Sequence, residues 1–191
     1  MADSKQLQAL IAGCLKGDRR SQQAIHKMFY GKMKAVCMRY TRDSDQAMDI
    51  VQEGFLKVFN NLDRFSGVGT LEGWIRRIMV NLAIDRFRKL KNDFVLLGDN
   101  QSVEDWEEEV EEENDTNEDE IYDITPEQIV DAMQQLSPAY RTVFNLYVYE
   151  DYTHQDIAEA LGISVGTSKS NYAKARKNMK KLLLKNLKKT E

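Results

Sequence analysis

Residues 151–183, DYTHQDIAEALGISVGTSKSNYAKARKNMKKLL, decide the fold. Thr153 is an N-cap residue type ahead of the apolar-periodic run HQDIAEAL, which ends at Gly162, and Ser164 caps a longer basic run reaching about Leu187. Ala158 is small enough for two helices to cross closely, Gly162 permits the turn between them, and Ile157, Leu161 and Ile163 supply the packing beneath. A short helix, a glycine turn and a basic helix make a helix-turn-helix. On its second helix Thr167, Lys169, Asn171 and Lys174 are residue types that meet base edges and phosphates in a major groove. The plainer alternative is an αα-hairpin with a solvated Lys-rich face.

Upstream, Thr125-Pro126-Glu127-Gln128 combines an N-cap, a proline at the first helical position and a reciprocal Gln, a strong helix start. Ile129, Met133 and Leu136 continue its apolar stripe, and Ser137-Pro138 opens a further helix carrying Val143, Phe144 and Tyr147. Before these lies Asp93–Asp123, which includes DWEEEVEEENDTNEDE. Its like charges repel and it has few apolar residues for a core, so it is expected to be a flexible linker. The net charge of -4 hides a segregation: +8 over residues 1–92, -15 over 93–124 and +3 over 125–191. Two net-basic bodies flank an acidic stretch, so the acidic whole does not argue against DNA as a partner.

Further upstream the periodicity is again helical, with no period-2 alternation bounded by hairpin turns. Asp18 or Ser21 caps a helix running to about Tyr40. After the turn TRDSD, a second helix runs from about Asp45 to Asn61. At about 100° per residue, Ala47, Val51, Gly54, Phe55, Val58 and Leu62 share one face of it, and Asp49, Gln52 and Glu53 lie opposite. A loop, Phe65-Ser66-Gly67-Val68-Gly69, leads to Thr70, an N-cap type, and a helix from Leu71 to about Lys91. That helix has an apolar side of Trp74, Ile75, Ile78 and Leu82, with Arg77, Asn81 and Arg88 on another arc. Arg77, Arg86, Arg88, Lys89 and Lys91 suit a phosphate backbone. The chain therefore reads as all-α, two small helical domains at 1–92 and 125–191 joined by an acidic linker at 93–124.

Other classes of function find little support. Cys14 and Cys37 form no C-x-x-C pair, and His26 and His154 accompany neither, so no metal site or disulfide framework is expected and both histidines read as incidental. Gly67-x-Gly69-x-x-x-Gly73 misses the dinucleotide fingerprint, and there is no nucleophile elbow or phosphate loop. No cofactor and no catalysis are expected. The start MADSKQLQAL lacks a basic n-region and a long apolar stretch, and no run approaches the ~18 apolar residues that span a bilayer, so a cytoplasmic location without a membrane partner is expected.

These motifs resemble the extracytoplasmic-function branch of bacterial RNA polymerase sigma factors. In the C-terminal part, Ile157-Ala158-Glu159, Leu161-Gly162-Ile163-Ser164, Gly166-Thr167, Lys169-Ser170 and Ala175-Arg176 look like that family's promoter-reading domain 4. Ser168 departs from it where the family usually has a buried Val, and Asn171 where Arg is common. In the N-terminal part, Asp49-Ile50-Val51-Gln52-Glu53-Gly54 is similar to the stretch with which domain 2 grips the coiled coil of the polymerase β′ subunit. Trp74-Ile75, Ile78, Asn81, Asp85 and Arg88 resemble the motif that reads the -10 element.

The resemblance implies promoter recognition and opening in complex with core polymerase. Asp49, Gln52 and Glu53 would dock on β′. The loop from Phe65 through Ser66 and Gly67 to Thr70 would capture an unstacked base, beside Arg77, Asn81 and Arg88 at the -10 element. Thr167, Lys169, Ser170, Asn171, Lys174 and Arg176 would read the -35 element. Implied partners are the β′ coiled coil, the β flap, promoter DNA, and an anti-sigma protein or other recruiting factor. The acidic linker is expected either to serve as a spacer or to mimic nucleic acid against the basic domains, and in the holoenzyme to thread the RNA-exit path. A helix-turn-helix regulator that never joins polymerase is the rival reading.

Overall fold

A computed structural model describes residues 4–96 and 124–187, and among them every regular element is helical. In order these are α1 (Ser4–Leu15), α2 (Arg19–Met38), α3 (Ser44–Asn60), a 3-10 turn (Leu62–Arg64), α4 (Leu71–Leu96), α5 (Pro126–Gln135), α6 (Pro138–Tyr149), α7 (His154–Leu161) and α8 (Val165–Leu187). The chain divides into one unit of Met1–Met38 with Asp43–Ala83 and another of Arg39–Arg42 with Ile84–Glu191. The acidic segment lies, apart from its ends, outside the described residues. Helix α4 continues to Leu96, past the charge boundary at residues 92 and 93.

In the first unit α2 packs on α1 and α3. Asp18 holds the start of α2: its carboxylate accepts from the backbone N–H of Arg20 at 3.2 Å and Ser21 at 3.0 Å, and from the Ser21 hydroxyl. These bonds hold its carboxyl below the usual carboxylate range. Helix α1 has no counterpart among the expected elements, although Cys14 on it is buried. Burial, with the Asp18 charge as a smaller contribution, pushes that thiol up and keeps it protonated. The core takes Ile25, Phe29 and Met33 from α2, Val51, Phe55 and Val58 from α3, and Leu71, Ile75 and Met79 from α4. Trp74 and Ile78, expected in the core, are half-buried; Met79 and Val80 take the buried positions instead.

In the second unit α8 packs against α5, α6 and α7. The expected capping box at Thr125 is present: the Thr125 hydroxyl accepts from Gln128 N–H at 3.3 Å and the Gln128 side chain accepts from Thr125 N–H at 2.9 Å. The other end of α5 is held by a buried cation. Arg141, 2% exposed, donates from Nε to the Met133 carbonyl at 3.0 Å, and from one terminal nitrogen to those of Gln134 at 3.0 Å and Leu136 at 2.6 Å. Helix ends leave carbonyls without intrahelical donors, and one guanidinium serves three here.

Candidate nucleic-acid interface

Helix α3 begins because Asp43 accepts from Gln46 N–H at 2.8 Å in the N-cap geometry. Its stripe of Ala47, Val51, Gly54, Phe55 and Val58 is buried, as the spacing predicts. Asp49 and Gln52 are exposed on the opposite side. Glu53 is half-buried there, with Oε1 3.3 Å from Lys57 Nζ. Sequence reasoning missed Leu56, which lies at i+3 and i+4 from Glu53 and Gln52 and is 66% exposed. Its signal is present, however: it is an apolar residue out of register with the buried stripe.

The loop before α4 is built by glycine. Gly67 and Gly69 both have φ of 78°, a left-handed conformation that L side chains rarely adopt, and between them Val68 is 86% exposed. Ser66 is exposed, and its hydroxyl accepts weakly from Val68 N–H at 3.5 Å. Phe65 is half-buried, its ring centroid 5.7 Å from that of Trp74. Thr70 accepts from Gly73 N–H at 3.1 Å and so caps α4 as expected. Arg77, Asn81 and Arg88 are all exposed along α4, with Arg88 3.9 Å from Asp85.

The helix-turn-helix follows from its caps. The Thr153 hydroxyl accepts from Asp156 N–H at 3.2 Å, and the Asp156 carboxylate accepts from Thr153 N–H at 2.9 Å and from its hydroxyl at 2.6 Å. These bonds depress the Asp156 carboxyl below its ordinary range. Gly162, at φ 62°, makes the left-handed C-cap of α7. Ser164 accepts from Thr167 N–H at 2.9 Å, and its hydroxyl shares a second bond of 2.9 Å with that of Thr167.

Helix α8 presents Lys169, Ser170, Lys174 and Arg176 to solvent. Thr167 is half-buried with its hydroxyl engaged in the cap. Asn171 differs from expectation: it is 6% exposed, on the side of α8 that also buries Ser168 and Ala175. The rotation of α8 explains this, since residues 168, 171 and 175 recur at helical spacing toward α6 and α7. The buried hydroxyl of Ser168 is satisfied by His154, which is therefore not incidental. His154 Nδ1 lies 3.0 Å from the Ser168 hydroxyl, and its ring stacks on Tyr147 at 4.7 Å. Lys177, not singled out from sequence, shares the exposed arc at i+3 from Lys174 and i+7 from Ser170.

Among the described residues no group of three or more His, Cys, Asp or Glu could hold a metal ion, and no helix is long and apolar enough to cross a membrane. A family model described as Sigma-70 region 2 matches residues 25–92, and one described as Sigma-70, region 4 matches residues 127–179. The ECF RNA polymerase sigma-E factor of Haemophilus influenzae is 30% identical, covering 92% of this chain and 94% of that relative. The ECF RNA polymerase sigma factor SigW of Bacillus subtilis is 29% identical over 88% of this chain and 91% of its own length. Among solved structures, the sigma factor RpoE of Bartonella quintana, co-crystallised with the anti-sigma factor NepR, is 21% identical with a TM-score of 0.48, covering 84% of this chain and 95% of that one. A regulator that stays off polymerase is not favoured, because it leaves the match over residues 25–92 unexplained. With both sigma regions in order along one chain and a relative 30% identical over nearly its whole length, the chain belongs to the extracytoplasmic-function family of sigma factors, which direct bacterial RNA polymerase to promoters.

Proposed function

We propose that Asp49, Gln52 and Glu53, with Leu56 as their apolar centre, dock the chain on the β′ coiled coil of core polymerase. The single observation that carries this is the division of α3 into a fully buried stripe and an opposite polar arc interrupted by one exposed leucine. Interfaces draw most of their energy from a few apolar anchors ringed by polar groups, and this arc has that composition.

In the same reading Arg77, Asn81 and Arg88 meet the -10 element, and the loop of Phe65, Ser66, Gly67 and Thr70 receives an unstacked base. The ring pair Phe65–Trp74 supports stacking as a platform. Lys169, Ser170, Lys174 and Arg176, joined by Lys177, meet the -35 element; Thr167 orders the start of α8 through Ser164. Asn171 acts through packing. Residues 1–92 and 125–191 then serve as two weak reading heads whose affinities combine once polymerase holds them. The protein acts in the cytoplasm and catalyses no reaction of its own. The part assigned to the acidic linker lies outside the described residues.

Run-off transcription with core polymerase and genomic DNA tests the whole reading. Discrete promoter-specific transcripts that require the chain are expected; copurification with DNA but never with core polymerase would sink it.

A further inference from the structure

Helix α2 carries a charge pattern that none of these roles uses. Its twenty residues, RRSQQAIHKMFYGKMKAVCM, include Arg19, Arg20, Lys27, Lys32 and Lys34 and no acidic residue. The helix buries Ile25, Phe29, Met33 and Val36. At about 100° per residue, Arg20, Lys27 and Lys34 fall within about 40° of one another, on the side opposite Phe29. They form a straight cationic stripe about 21 Å long. Lys32 stands aside from it and pairs with Glu72 at 2.5 Å. Arg20 feels the carboxylate of Asp18. Among the described residues, Lys27 and Lys34 have no carboxylate at ion-pair distance.

The middle of the stripe holds a second anomaly, Gly31. Glycine inside a helix costs roughly 0.5–1 kcal/mol relative to alanine. Here no left-handed φ demands it, and a β-carbon would meet nothing within 4 Å. Gly54 on α3, by contrast, has the Met79 thioether packed where a β-carbon would sit. A helix weakened at its exposed centre, without a packing reason, suits a partner that approaches its backbone closely.

We propose that the Arg20–Lys27–Lys34 face of α2 is a phosphate-binding surface for promoter duplex DNA, used in addition to the -10 and -35 contacts. The stripe favours nucleic acid over protein because Lys27 and Lys34 make up its centre and end, and protein interfaces are depleted of Lys at their centres; the half-buried Tyr30 beside them packs on the His26 ring at 5.2 Å. Backbone phosphates need only cations at spaced intervals and an unobstructed approach. The proposal rests on the sigma-factor reading only in taking promoter DNA as the duplex.

The test measures promoter affinity of holoenzyme against salt for four proteins: wild type, the triple variant Arg20→Gln/Lys27→Gln/Lys34→Gln, Gly31→Gln, and Lys169→Gln. The triple variant is expected to reduce the log–log salt slope by ~2.7, about 0.9 for each phosphate it no longer neutralises, with unchanged affinity for core polymerase. Gly31→Gln alters no charge; it is expected to raise the unfolding midpoint yet weaken promoter binding. An unchanged slope in the triple variant, while Lys169→Gln lowers it, overturns the proposal and leaves α2 a solvated face. Weaker core binding with an unchanged slope also overturns it and makes α2 a polymerase surface. Loss of slope in the triple variant but not in Lys169→Gln supports the α2 surface and counts against the proposed role of Lys169 alone.

Discussion

Gly54 of α3 lies so close to Met79 of α4 that the methionine sulfur occupies the space a β-carbon would need. Met79 is fully buried, so it has little room to give way. Gly54→Ala is therefore expected to destabilise the first unit by about 1–3 kcal/mol through overpacking. Adding Met79→Ala should recover part of that loss, because it empties the contested volume. Urea midpoints of the two single variants and the double variant check this; additive losses would mean that the two residues do not compete for space.

Opposite Gly54, charge reversal at Asp49 and Glu53 is expected to abolish polymerase binding while changing stability by no more than about 0.5 kcal/mol. The Glu53–Lys57 pair is half-exposed, and ion pairs of that kind contribute little. Leu56→Ala should weaken the complex by more than about 1 kcal/mol if it anchors the interface. Affinity for core polymerase, read alongside helicity, separates these outcomes; a folded double-reversal variant that binds normally would remove α3 from docking.

Arg141 is the residue whose loss should cost most in the second unit. Arg141→Ala takes a donor from three carbonyls at the end of α5, leaving that of Met133 only the Leu136 N–H at 3.1 Å, and a penalty of about 3 kcal/mol is expected. Arg141→Lys should restore only a fraction of it, since an ammonium lacks the planar fork that reaches several acceptors at once. Thermal unfolding of both variants measures the difference.

Acid should loosen α7. The Asp156 carboxyl is depressed in the folded state, so its contribution is fully present above the unfolded value near pH 4. It is lost as pH falls from there through the lower folded value. Asp156→Asn should remove that part of the acid limb and leave the rest of the pH–stability curve parallel to wild type. An acid limb identical in the two proteins would show that the capping bond carries no linkage.

Binding at the -35 element should divide by position on α8. Lys169→Ala is expected to lower the salt slope by ~0.9 for every sequence alike. Asn171→Ala should leave base preference unchanged, because its side chain is buried. A panel of -35 variants read by transcription distinguishes the two; altered preference in Asn171→Ala would mean that α8 rotates on DNA.

What is legible in advance is whatever the chain encodes locally. Thr125 to Gln128 and Thr153 to Asp156 declare helix starts within four residues, and both boxes are present. The α3 stripe is equally plain, because Ala47, Val51, Phe55 and Val58 repeat at helical spacing. Groups whose partners lie farther along the chain stay hidden. His154 meets Ser168 fourteen residues on, and Arg141 reaches back to the end of the preceding helix. Asn171 misleads for a related reason: residue type says that a side chain can read a base, but only the rotation of α8 says which way it faces.

The loop at Val68 offers an experimental opening of another kind. Nothing packs over a side chain that is 86% exposed, and two left-handed glycines set the backbone on either side of it. A fluorescent or photoreactive amino acid at position 68 would therefore sit at the loop tip without displacing any core atom. With the loop receiving an unstacked base as proposed, its signal would time the moment at which the strands separate, giving a clock for initiation built into the protein.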